Sequence, residues 1–192
     1  MKHSVKLAAL VLAMLLVFVL AACGNQPQPD VDDPVVTGSS TPAEVVPGSF
    51  SADDLVINIG GKTFKITDSV EDFISALGEG YEYTEAISCA YEGMDKFYIW
   101  AMSELATVPP DGKDTVSSFY TSDPEIKTAK SLGAGSSRGE IVAVYGNDYD
   151  ETSSIITFYA GEKGSIKTPT LFFDMSGDTV QGFGLSAGNS AG

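Results

Sequence analysis

Two capped amphipathic segments, set 68 residues apart, restrict the fold more than any other feature of this chain. In the first, Ser69 stands three residues before Asp72, and Val70, Phe73, Ile74 and Leu77 occupy i, i+3, i+4 and i+7. This spacing predicts an N-capped helix with one apolar stripe, closed by Gly78. In the second, Ser137 stands three before Glu140, Ile141, Val142 and Tyr145 supply the apolar face, and Gly146 ends it. Tyr81 and Tyr149 each lie three residues past their glycine.

The segments after the two helices are also alike. Lys96 to Trp100 and Glu104 to Val108 read as strands, and Asp111-Gly112-Lys113-Asp114 turns into Thr115 to Tyr120. In the second half Ile155 to Ala160 and Thr170 to Phe173 read as strands, and Ser176-Gly177-Asp178 turns into Thr179 to Phe183. The hexapeptides DTVSSF and DTVQGF make the echo explicit. Ahead of both, Leu55 to Ile59 and Lys62 to Ile66 flank Gly60-Gly61, a hairpin signal because both central residues tolerate positive φ. Lys62-Phe64-Ile66 does not settle which face of that hairpin is buried. A helix with three strands cannot cover its own sheet, so two such units sharing one is the natural solution. The expectation is an α+β fold: two tandem helix-plus-antiparallel-strand units forming one sheet with helices on one face. The domain would span 50–186, in halves of about 55–122 and 123–186, with 187–192 a flexible tail.

Ala134-Gly135-Ser136-Ser137 opening the second helix, and Val144-Tyr145-Gly146 closing it, resemble the tandem helix-plus-sheet domain of the β-lactamase inhibitor proteins. The same pattern is similar to the small outer-membrane assembly lipoproteins that share that architecture. The first half matches only at Ser69 and Leu77-Gly78. The inhibitors carry disulfides that this chain lacks, and no binding residue transfers by motif.

The N-terminus carries a second signal. Lys2, His3 and Lys6 precede sixteen uncharged residues, Leu7 to Ala22, and then comes a polar Gly-Asn-Gln-Pro. A basic start, a short apolar run and small residues at a cut describe a secretory signal peptide, and a membrane span needs about 20 apolar residues. Leu20-Ala21-Ala22-Cys23-Gly24 resembles the bacterial lipobox. The resemblance implies cleavage of 1–22, with Cys23 the lipidated first residue of a protein anchored on the extracytoplasmic side of the cell membrane. Two acyl chains suffice for stable anchoring, at roughly 0.8 kcal/mol per buried CH₂. Residues 23–49 hold five prolines and no aromatic, a composition that cannot bury a core. They are expected to form a disordered tether, reaching roughly 25–30 Å as a flexible coil.

Cleavage would remove two of the 11 basic residues and none of the 26 acids, leaving a formal charge of −17. That is a poor electrostatic match to nucleic acid or anionic head groups, so no nucleic-acid partner is expected. It would also remove the only histidine, His3. Ser-His-Asp and Cys-His nucleophile systems and imidazole zinc sites are then excluded, and the chain is expected not to be an enzyme, with no cofactor and no metal. Acylation of Cys23 leaves Cys89 without a partner. With no base among its neighbours, Cys89 reads as a buried, inert thiol.

The remaining acids at Asp53-Asp54, Glu71-Asp72, Asp111/Asp114 and Asp148/Asp150/Glu151 could serve glycoside hydrolysis only if a pair faced each other. Most sit in caps or turns. Asn147 to Glu151 could offer oxygens to calcium but lacks the EF-hand spacing and glycine. Among the dense aromatics, Phe97 and Trp100 read as core. Tyr81, Tyr83 and Tyr91, assigned to a loop, are equally readable as core or as an exposed binding set. The expected function is a lipid-anchored binding module that engages a protein or peptide through the sheet face opposite its helices. The alternative is a carbohydrate or wall-polymer module using the three tyrosines, and a carboxylate-based, glycosidase-like enzyme comes third.

Overall fold

A computed structural model describes residues 48–188, and the signal segment, Cys23 and most of the tether lie outside them. Among the described residues the fold is mixed and mostly antiparallel β, with two α-helices and 11 strands. A three-residue 3₁₀ turn (Ala52–Asp54) leads into the hairpin β1 (Val56–Ile59) and β2 (Lys62–Lys65). Gly60 and Gly61, at φ +56° and +79°, make the tight turn that the Gly-Gly pair announces. Phe64 is the strand's one buried side chain, with Lys62, Thr63 and Lys65 exposed, which settles the hairpin's facing.

α1 (Val70–Leu77) is followed by β3 (Glu82–Ile87), β4 (Met94–Ile99), β5 (Ser103–Val108) and β6 (Thr115–Thr121). After the short β7 (Lys127–Thr128), α2 (Arg138–Tyr145) is followed by β8 (Asp150–Thr152), β9 (Ile155–Tyr159), β10 (Thr170–Ser176) and β11 (Thr179–Ser186). Strands β3 to β6 and β8 to β11 form one eight-stranded sheet, ordered β3-β4-β5-β6-β11-β10-β9-β8. Each helix therefore precedes a four-stranded meander, not three strands, and the meanders meet last strand to last strand. The two strands that the sequence does not announce are the sheet's edges. All six residues of β3 are exposed, and β8 is Asp-Glu-Thr, so neither carries the burial alternation that marks a strand. The expected single sheet is also corrected, because β2, β1 and β7 form a separate three-stranded sheet.

Both helices lie on one face of the large sheet, and the contacts show why. Tyr98, Leu105, Phe119, Leu185, Leu171 and Phe158 are successive register partners across β4, β5, β6, β11, β10 and β9. Their side chains form an apolar row running straight across the seam between the meanders, and all six are buried. Phe73 of α1 sits 5.7 Å from Phe119 and 5.3 Å from Phe64, tying helix, large sheet and small sheet into one core. Tyr145 of α2 lies 5.5 Å from Phe158 and 6.0 Å from Phe173.

The caps form as the sequence implies. The Ser69 hydroxyl accepts from Asp72 N–H at 3.1 Å. Ser137 and Glu140 make a reciprocal capping box in which the Glu140 carboxylate accepts from Ser137 N–H at 2.7 Å. That backbone bond, with help from the Ser137 hydroxyl, holds the Glu140 carboxyl below its usual range. A forked bond from Arg138 to both oxygens of Glu151, at 2.8 and 3.0 Å, lowers Glu151 in the same way. Both carboxyls are depressed in the folded state, so their stabilisation is present above the ordinary glutamate value of about 4.3 and disappears as pH falls through the folded values. Melting temperature followed from pH 6 to pH 3 should fall. In the double variant Glu140→Gln/Glu151→Gln that fall should be shallower, and an unchanged slope would refute the assignment.

Two boundaries shift. Gly48 N–H donates to Ala143 O at 2.9 Å, and a Cβ at Gly48 would stand 1.8 Å from Val144 O, so the last tether residues are seated against α2. Phe50 continues this contact, 5.9 Å from Tyr145 and 5.5 Å from Phe158. At the other end, Ala187 N–H donates to Ser117 O at 2.8 Å, so residue 187 is tied to the sheet, and residues 189–192 of the expected tail lie outside the described residues.

Candidate functional site

The face of the eight-stranded sheet turned away from the helices has no covering layer among the described elements. Its central row runs through Glu82, Ile99, Glu104, Tyr120, Gly184, Phe172, Thr157 and Asp150, partners in register from edge to edge. In a sheet with one buried face these positions should be polar. Instead the middle holds Tyr120 and Phe172, with Phe97 and Tyr159 half-buried nearby and Ile99 38% exposed.

Tyr120 and Phe172 flank Gly184, and their rings lie nearly parallel, 9° apart with centroids separated by 6.3 Å. The glycines make this arrangement feasible. A Cβ at Gly184 would fall 2.5 Å from Phe172 Cζ and 2.3 Å from Phe119 O, and one at Gly182 would fall 2.2 Å from Tyr120 Oη. Glycine inside a strand marks such a close approach. Burial, with the Asp174 carboxylate adding, pushes the Tyr120 phenol above its usual range. The two near-parallel rings thus form a neutral aromatic pair at the seam between the meanders.

Two hairpin loops stand at one end of this face, residues 88–93 between β3 and β4 and residues 160–169 between β9 and β10. A pocket of about 350 Å³ opens between them, lined by Cys89, Tyr91, Asp95, Ser118, Ile166 and Ser186 among others. A second, of about 310 Å³, continues it past Ile166 and Ser186 toward Thr157 and Tyr159. Ile166 is 76% exposed.

The structure separates the three tyrosines singled out as a binding set. Tyr83 lies in β3 rather than in a loop, 46% exposed, on the helix side of the sheet. Its hydroxyl donates to Glu85 Oε2 at 2.7 Å, and that bond, followed by burial, pushes its pKa up to about 12. Tyr81 is half-buried in the same cluster, 5.3 Å from Tyr98 and 5.2 Å from Trp100. Tyr91 belongs to the 88–93 loop and lines the pocket on the opposite side. No single platform contains all three.

Other expectations change as well. Cys89 is exposed, not buried; its neighbour Ser88 is the buried residue, its hydroxyl accepting from Ala90 and Tyr91 N–H groups at 3.3 and 3.2 Å. Phe97 faces the open side rather than the core, since its neighbour Tyr98 takes the helix-facing row. Trp100 is half-buried at the core's margin and donates from Nε1 to Gly78 O at 2.8 Å, capping α1. At least one acid of each candidate group has a structural partner: Asp54 with Lys130 at 2.9 Å, Asp72 with Ser69, Asp114 with Lys96, and Asp148 and Asp150 with Lys163 at 3.1 Å each. Tyr120, Phe172 and Gly184 are not among the residues the sequence singles out, although Gly182-Phe183-Gly184, glycine at a two-residue period inside a strand, is their signature.

Comparison with family models, curated proteins and solved structures finds no match to this chain. Among the described residues no helix is long and apolar enough to cross a membrane, and no cluster of histidine, cysteine or acidic side chains could hold a metal ion.

Proposed function

We propose that this chain is a lipid-anchored cell-envelope protein that binds a protein or peptide partner on the open face of its eight-stranded sheet. The observation that carries the reading is the near-parallel Tyr120–Phe172 pair flanking Gly184 on an uncovered face. Aromatic rings bring large apolar area at low entropic cost and dominate binding energetics. The lipobox-like Leu20 to Gly24 supplies the anchor. Gly48 and Phe50 pack against α2, on the helix side of the sheet. A sugar platform built on Tyr81, Tyr83 and Tyr91 is the weaker reading, because these residues lie on two sides of the sheet.

The test is crosslinking on intact cells followed by capture of the protein. The double variant Tyr120→Ser/Phe172→Ser should recover at least about tenfold less partner than wild type, as expected when central aromatic anchors are removed. Equal recovery from a folded variant overturns the reading.

Duplication of one helix-plus-meander unit is part of this proposal. The bulges support it. β5 pairs with β6 through a bulge between Ala106 and Thr107, whose partners are Ser118 and Val116. β10 pairs with β11 through a bulge between Asp174 and Met175, whose partners are Gly182 and Val180. The first strands are offset by the same 68 residues as the helix caps, and the second by the 64 residues that separate DTVSSF from DTVQGF. A bulge is a specific, retained feature rather than a defect.

A further inference from the structure

We infer that the pocket at the loop end of the open face receives a cationic side chain, lysine or arginine, from the bound partner. The inference rests on the proposed use of this face for peptide or protein binding and names the chemistry of what binds.

The first observation is Asp95. It is the register partner of Ala86 in the β3–β4 pair, points to the open side with Phe97 and Ile99, and lines the 350 Å³ pocket. Asp95 is half-buried as a residue, but its Oδ1 is closed to solvent and meets no hydrogen-bond donor among the described residues. A buried acceptor without a partner is costly, the more so when it belongs to a charged group. Among the lining residues, Ser117 and Ser118 belong to β6 and Ser186 to β11, so the pocket offers hydroxyls and no basic group beside the carboxylate.

The second observation is the charge of the whole face. Outward strand positions hold Glu82, Asp95, Glu104, Asp150 and Asp174, and no lysine or arginine. Asp150 is tied to Lys163, but none of the other four takes part in an ion pair among the described residues. A face of one sign raises the local concentration of an oppositely charged partner and steers its approach. Apolar rings at the centre and unpaired acids around them complement a segment that alternates basic and apolar residues.

A cation entering beside Cys89 would supply Asp95 with a charge-assisted hydrogen bond and cover the exposed thiol, which makes Cys89 a reporter of occupancy. The probes are two capped hexapeptides, alternating Lys-Tyr and alternating Glu-Tyr, titrated into the full-length protein. Iodoacetamide modification of Cys89 is followed by mass spectrometry alongside affinity. The Lys-Tyr peptide is expected to bind and to slow modification of Cys89, and the Glu-Tyr peptide to do neither. Asp95→Asn should weaken binding by about 10- to 100-fold, the range for a hydrogen bond to a charged group. Glu79→Gln, an equal loss of charge at an exposed position after α1, should weaken it by no more than about fivefold. Equal effects of the two substitutions, or unslowed Cys89 modification at saturation, overturn the pocket assignment. Asp95→Ala should melt at or above the wild-type temperature, since it removes an unpartnered oxygen; a lower melting temperature would show that Asp95 is satisfied internally and also overturns it. Loss of the cellular partner in Tyr120→Ser/Phe172→Ser but not in Asp95→Asn would discard the cation while leaving the face as a binding surface. Retention of the partner in both discards the face itself.

Discussion

Cys23→Ser is expected to abolish incorporation of labelled fatty acid and to leave the protein as an unprocessed precursor or as a species released from the membrane. The effect should be all or none. Serine offers no thiol for a thioether, and among the described residues no helix is long and apolar enough to cross a membrane. Because one acyl chain gives only marginal membrane binding, even partial acylation should be visible as shedding into the medium. Metabolic labelling of cells expressing wild type and variant, with fractionation of membrane and medium, decides it. Wild type without label would remove the anchor from the proposal, and the sheet face would then need a partner in solution. The folded body should be unaffected, since residue 23 lies well before Gly48, where the described chain starts against α2.

Phe173→Ala is expected to have the largest effect on stability. Phe173 is fully buried on the helix-facing side of β10, with Tyr145 at 6.0 Å, Phe183 at 6.1 Å and Phe158 at 6.4 Å. It is the point at which α2, β9, β10 and β11 meet. Deleting a buried phenyl ring removes its transfer free energy and leaves a cavity, a cost of about 3–5 kcal/mol. In a body of this size that lowers the melting temperature on the order of 10–20 °C, readable by circular dichroism. A drop of only a few degrees would mean that α2 collapses readily into the gap, and that the second half is packed more loosely than its ring contacts indicate.

The contrast between these two variants separates what holds the molecule together from what places it. The core row Tyr98 to Phe158 crosses the β6–β11 seam without interruption, so disruption on either side should be felt by both meanders. The open face follows a different logic. It carries unpaired carboxylates and half-exposed rings that a sheet does not need in order to fold, and such departures from the polar-outward rule mark function more often than structure.

Features that depend on neighbours along the chain are legible in the amino-acid sequence. The two capped helices, the Gly60-Gly61 hairpin, the turns into Thr115 and Thr179 and the strands with alternating burial could all be read, because caps, positive-φ turns and amphipathic periods are local. The lipobox-like motif is local too, and its expectation stands on those residues alone. The rest follows from long-range packing. β3 and β8 are strands because β4 and β9 pair with them, not through any pattern of their own. Cys89 is exposed and Phe97 faces outward because the buried positions beside them went to Ser88 and Tyr98, a matter of strand register. Tyr81 and Tyr83 are parted from Tyr91 by the thickness of a sheet. The pairing of Tyr120 with Phe172 depends on strands that are close in space but far apart in sequence, with Gly184 of β11 between them. Residues separated by some fifty positions meet there because β6 and β11 close the seam, and no local signal could have placed them side by side.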